Sequence, residues 1–198
     1  MKVIRDVETQ IKLLLEDDFR EKICIPLLKA LGAYAVEKFH GPNENGKDVY
    51  FAYKDLLKEY KHCCLFIKAG DIGKSGSNDI RKIKTAVEEA LFSPFISPLE
   101  NNSEVYICEF YFICNGKLND FARRYLLNLF QSKNFPNFKI VDIDKITYLV
   151  KKIVTDYGLH IDKDYVFQVD SFNSFCSKVV SFKEQFESKI IGSNILNS

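Results

Sequence analysis

Apolar residues at Ile11, Leu14, Leu15, Phe19, Ile23, Leu27, Leu28 and Leu31 recur mostly three or four positions apart, and that spacing predicts a helix over about residues 5–31. Pro26 falls inside the run with no amide to donate, so a kink or a division is expected there, and Gly32 supplies the stop. Residues 33–39 read as a short strand, and residues 40–47, rich in Gly, Asn and Pro, as a turn. From Asp48 the period changes to two. Asp48 to Tyr53 and Lys61 to Lys68 read as strands, the second with Cys63, Leu65 and Ile67 on one face and Cys64, Phe66 and Lys68 on the other.

A Gly/Ser-rich loop follows, and Asn78 is placed to cap a helix running to about Phe92, with Ile80, Ile83, Val87, Ala90 and Leu91 on its apolar face. Val105 to Cys114 is almost continuously apolar or aromatic, the pattern of a strand covered on both faces, and Asn115-Gly116 ends it. Residues 118–131 read as a helix, 138–141 as a further buried strand and 144–157 as a helix. This order predicts an α/β fold, a central mixed β-sheet flanked by helices, over residues 1–158. From Leu159 the pattern changes. An edge strand or loop near 165–172, an amphipathic helix over 175–191 and an unstructured tail make residues 159–198 an extension that packs back on the core, mediates dimerisation or begins a linker.

The 198 residues suit one compact unit, and 46% apolar content supplies a core. With 28 basic against 27 acidic residues, nucleic-acid contact has to come from local clusters, not from a global field. The six cysteines sit mostly in apolar runs with no signal-peptide pattern before them, which reads as reduced core thiols of a cytoplasmic protein. His62-Cys63-Cys64 is contiguous and has no second ligand pair, so structural zinc is not expected. No apolar run approaches the roughly twenty residues that span a bilayer. The loop Lys68-Ala-Gly-Asp-Ile-Gly-Lys-Ser lacks the glycine spacing of a phosphate-binding P-loop.

The chemistry concentrates at two strand ends. Asp48 stands at the mouth of one strand after a glycine-bearing acidic turn, and Lys68 closes the next. A carboxylate can hold Mg2+ or Mn2+, which takes hard oxygen ligands and water, and an ammonium can orient an attacking water or offset charge developing on a phosphate. Lys74, Arg81, Lys82 and Lys84 extend a positive lip suited to backbone phosphates, equally readable as a solvated helix face.

Glu21 in the first helix, Gly46-Lys47-Asp48-Val49 and Phe66-Ile67-Lys68 together resemble the PD-(D/E)XK restriction-endonuclease-like superfamily, and within it the branch typified by Mrr restriction enzymes. The resemblance covers about residues 15–158 and implies a restriction-endonuclease-like core. It places Asp48 on the metal-binding aspartate, Lys68 on the catalytic lysine and Glu21 on the helix acid. Phe66 departs from the pattern, standing where the family has Glu or Gln. A phenyl ring cannot ligate a cation, and Glu44 and Asp71 are the nearest replacement oxygen donors. The expected function is metal-dependent endonucleolytic cleavage of double-stranded DNA in restriction or antiviral defence, by a homodimer or within a larger complex. The alternative is a catalytically inactive nuclease-fold module that binds nucleic acid or a protein partner.

Overall fold

The computed structural model describes residues 7–39, 46–73, 77–132, 135, 137–162 and 165–195. Helices α1 (Val7–Lys12) and α2 (Glu16–Phe19) lead through a π-helical segment, Arg20–Cys24, into α3 (Ile25–Leu31). Strands β1 (Tyr34–Lys38), β2 (Val49–Lys54) and β3 (Tyr60–Lys68) follow, then α4 (Ser77–Phe92). A small hairpin, β4 (Phe95–Ser97) and β5 (Ser103–Val105), precedes β6 (Glu109–Cys114). The chain closes with α5 (Asp120–Ser132), β7 (Phe138–Val141), α6 (Ile143–Ile161) and α7 (Val169–Ile195).

Five strands form one mixed sheet in the order β1-β2-β3-β6-β7. The first three are antiparallel neighbours, while β3, β6 and β7 run parallel. The two-residue period sorts their side chains as the sequence predicts. Val49, Phe51, Cys63, Leu65, Ile67 and Ile113 pack under α1, α3, α6 and α7. Tyr50, Ala52, Cys64, Phe66, Phe110 and Phe112 pack under α4 and α5. The fold is therefore a mixed sheet with helices on both faces, and no helix among the described residues is long and apolar enough to cross a membrane.

The first predicted helix is divided, but not at Pro26. The break falls at Leu13–Leu15, and Pro26 lies in the first turn of α3. The π-helical segment explains why: the Ile25 amide donates to Arg20 O in an i→i+5 bond, a wider turn that passes into the proline without a stop. The expected strand from Val105 to Cys114 is also interrupted. Val105 pairs with Phe95 in the small hairpin, and the main-sheet strand starts only at Glu109.

Residues 165–168 are irregular, and α7 packs back on the core, burying Phe172, Phe175, Cys176 and Val179 in the cluster shared with α3 and α6. Lys183 Nζ donates to Ala30 O at 2.6 Å near the end of α3. The helix continues to Ile195, through most of the tail that the sequence suggested was unstructured, while residues 196–198 lie outside the described residues. Four buried side chains at roughly 1.5–3 kcal/mol each match the stability of a whole small domain. Truncation before Val169 should therefore abolish cooperative unfolding, as read by circular dichroism during a urea titration.

Candidate functional site

The parallel strands β3, β6 and β7 end together, and β2 begins beside the end of β3. Two glycines set how tightly the neighbouring turns close. Gly46 has φ +74°, and a Cβ there would sit 2.0 Å from Ala86 O, so only glycine lets the turn before β2 press against the α4 backbone. Gly116 meets the Gly70 backbone just as closely, with Gly70 C at 2.2 Å from the position of a Cβ.

Between these contacts Asn115 is fully buried. Its Nδ2 donates to Ile11 O at 3.0 Å and to Leu14 O at 2.8 Å, and its Oδ1 accepts from the Gly70 amide at 2.7 Å. The carbonyls freed where α1 breaks from α2 are thus satisfied by the same side chain that fixes the end of β3. Glu16 follows the break directly, and Lys68 stands two residues before Gly70.

Asp48 is only 7% exposed. Its amide donates to Leu65 O at 2.9 Å, and its Oδ2 accepts from the Ile67 amide at 2.5 Å. Burial pushes its carboxyl up to about 6; the Ile67 hydrogen bond and the charges of Lys68 and Arg20 oppose that shift, while Glu16 adds to it. Lys68 Nζ lies 3.1 Å from both oxygens of Glu16 and 4.8 Å from the centre of the Phe66 ring. The ammonium is held between a carboxylate and an aromatic face.

These residues open onto a cleft of about 550 Å³, lined by Gly46, Asp48, Phe66 and Lys68 on the sheet side and by Arg81, Lys82, Thr85, Ala86 and Glu89 of α4 on the other. Asp48, Lys68, Arg81 and Lys82, all singled out from the sequence, therefore share one cleft. Lys84 is half-buried and outside its lining. Glu21 stands elsewhere: its carboxylate pairs with Lys38 of β1. The acid that meets Lys68 is Glu16, one turn earlier. Asp71 is exposed and accepts from the Lys117 amide at 2.6 Å, tying two loops together away from the cleft lining. Glu44 and Lys74 lie outside the described residues.

Three residues were not picked out by the sequence. Glu16 has the signal of an acid opening a helix after an apolar run. Asn115 read only as a strand terminator. Glu89 brings a second carboxylate to the cleft wall but stands on a helix whose pattern says nothing of what it faces. No group of three or more His, Cys, Asp or Glu able to hold a metal occurs among the described residues. Asp48 and Glu16 still offer the one or two carboxylates that Mg2+ takes alongside water, so the donor set fits that ion at its minimum.

Arg20, outside the cleft lining, is buried and donates to Asp17; its Nε has no hydrogen-bond partner among the described residues and lies 3.8 Å from Glu21 Oε1.

Two outcomes follow from this geometry. Asp48 binds its proton more tightly in the folded state than in the unfolded chain, so stability falls as pH rises from 3.8 through about 6. Above that range the whole penalty, on the order of 3 kcal/mol, is present. Asp48→Asn should therefore be more stable than the wild type at pH 8 and converge with it near pH 4, measured by urea unfolding. Asn115→Ala leaves Leu14 O and the Gly70 amide without their partner and Ile11 O with the Leu14 amide alone, and should cost about 2–3 kcal/mol in the same measurement.

No family model matches the chain, and no curated protein matches it. Two solved structures are similar. The Moraxella osloensis Cap4 SAVED/CARF-domain containing receptor matches at 14% identity over 89% of this chain and 44% of its own, with a TM-score of 0.39. The MspJI restriction endonuclease in complex with a 27-mer oligonucleotide matches at 11% identity over 87% of this chain and 32% of its own, with a TM-score of 0.38. The chain spans less than half the length of either protein.

Proposed function

We propose that the cleft binds the phosphodiester backbone of DNA and hydrolyses it with a divalent cation. The observation that carries this reading is the meeting of Asp48 and Lys68 at paired strand ends, inside a cleft whose opposite wall presents Arg81 and Lys82. Asp48 and Glu16 would hold Mg2+ or Mn2+. When bound, such an ion polarises a phosphoryl oxygen and acidifies water.

The chain's own residues do the rest. Arg81 and Lys82 neutralise backbone phosphates and set the register of the strand. Lys68, pinned by Glu16, presents a fixed positive charge where negative charge develops on the phosphate. The Phe66 ring shields one side of that ammonium from water, which strengthens its field. Asp48 gains from a cation because burial alone makes its ionised form costly. Double-stranded DNA as the substrate, and restriction or antiviral defence as the setting, come from the sequence resemblance to the PD-(D/E)XK superfamily.

Phe66 supports a second reading. It occupies the face and position where a third oxygen donor would stand, so the cleft would bind nucleic acid without cutting it. The two readings separate in one assay: supercoiled and linear duplex DNA incubated with Mg2+, Mn2+ or EDTA. Cleavage should require the metal and fall at least about 10²-fold in Asp48→Ala and Lys68→Ala. Glu16→Gln should impair it, and Glu21→Gln should leave it near the wild-type rate. Absence of cutting, together with no metal-induced thermal stabilisation that depends on Asp48, would leave binding alone.

A further inference from the structure

Strands β3 and β6 run parallel with Cys63 opposite Glu109, and the Cys108 amide, one residue earlier, donates to His62 O at 2.8 Å. That register brings Cys108 beside Cys63. Both thiols lie over the same stretch of β3: Cys63 Sγ is 3.5 Å from Lys61 O, and Cys108 Sγ is 3.1 Å from His62 O. Of the six cysteines, Cys24, Cys63, Cys64, Cys114 and Cys176 are buried, and Cys108 alone is partly exposed. The Cys63 thiol beside it favours the Cys108 thiolate against the opposing effects of burial and Glu109, and the same neighbour raises Cys63. Lys61 favours the Cys108 thiolate from the neighbouring strand. A partly exposed sulfur with a second, buried thiol alongside is the arrangement on which peroxide chemistry acts.

We propose that Cys108 and Cys63 form a hydroperoxide-reactive pair, with Cys108 as the attacking thiol and Cys63 as the resolving one, and that their disulfide cross-links β3 to β6. In the first step the Cys108 sulfur attacks the terminal oxygen of a hydroperoxide. An S–O bond forms as the O–O bond breaks, and the leaving oxygen departs as alcohol (water, for hydrogen peroxide) with the thiol proton. Cys108 is then a sulfenic acid. In the second step the Cys63 sulfur attacks Cys108, the S–S bond forms as the S–O bond breaks, and water leaves carrying the Cys63 proton. The pair loses two electrons and the hydroperoxide gains them. Cys63 lies five residues before Lys68 on β3, about 17 Å by strand rise, so this chemistry is independent of the cleft.

The test uses the folded 198-residue chain, treated with stoichiometric hydrogen peroxide, alkylated and peptide-mapped by mass spectrometry without reductant. A peptide joining Cys63 to Cys108 should form at least about tenfold faster than any modification of the four other cysteines and should revert with dithiothreitol. Cys63→Ser should stop at a sulfenic acid on Cys108 that dimedone captures. Cys108→Ser should leave Cys63 reduced at the same dose. The proposal is overturned if wild-type Cys108 oxidises no faster than the buried thiols, if it bonds to any partner other than Cys63, or if it proceeds to sulfinic acid while Cys63 stays reduced.

Discussion

The Asn115 side chain is buried away from solvent, and Leu14 O and the Gly70 amide beside it have no backbone partner among the described residues. Its amide answers both needs, giving two protons to carbonyls at the end of α1 and accepting one from Gly70. Buried polar groups are tolerated only when paired, so the α1–α2 break and the β3–α4 loop are stable only where this side chain reaches both. Gly116 lets the Gly70 loop come close enough for that reach. The position of Glu16 relative to Lys68 follows from the same bonds, since each residue lies within two positions of an atom that Asn115 holds.

The cleft is assembled against the preference of its central group. A carboxylate at Asp48 loses most of its water and recovers only part of that loss from the Ile67 amide and the charge of Lys68. A packed apolar residue at this position would be easier to fold. A group whose ionised form is disfavoured, at the mouth of a cleft with two basic residues opposite, is the arrangement expected where a site is built at the expense of stability. Phe66 shifts the balance in the other direction, supplying packing and a face for the Lys68 ammonium where an oxygen donor would add further negative charge.

Much of the fold was legible because burial imposes a period. Alternation in β2 and β3 assigned each side chain to its face, and helical spacing located α4, α5 and α6 to within a few residues. The misreadings have local causes. The first helix breaks where Asn115, a hundred residues away, supplies partners for its carbonyls, and Pro26 is absorbed by a π-helical segment. The apolar run before Cys114 splits because Val105 pairs with Phe95 in a hairpin that no periodicity marks. The sequence left the C-terminal segment between packing, dimerisation and linking, and only the tertiary structure shows Phe172, Phe175, Cys176 and Val179 packed under α3 and α6.

The same division holds at the site. Asp48 and Lys68 could be read from the chain because each stands at the end of a strand whose pairing follows from a short connection, and Arg81 and Lys82 because they continue one helix face. Glu16 could not be preferred over Glu21: both are helix acids, and the choice between them depends on where the helix breaks and which cation each carboxylate meets across the fold. The contact between Cys63 and Cys108 likewise depends on the register of two strands separated by a helix and a hairpin. Local periodicity thus determined the elements and the residue types at their ends. Which of those residues face one another was decided by tertiary contacts between distant segments, because hydrogen-bond satisfaction and close backbone approach leave no trace in the spacing of a single stretch of sequence.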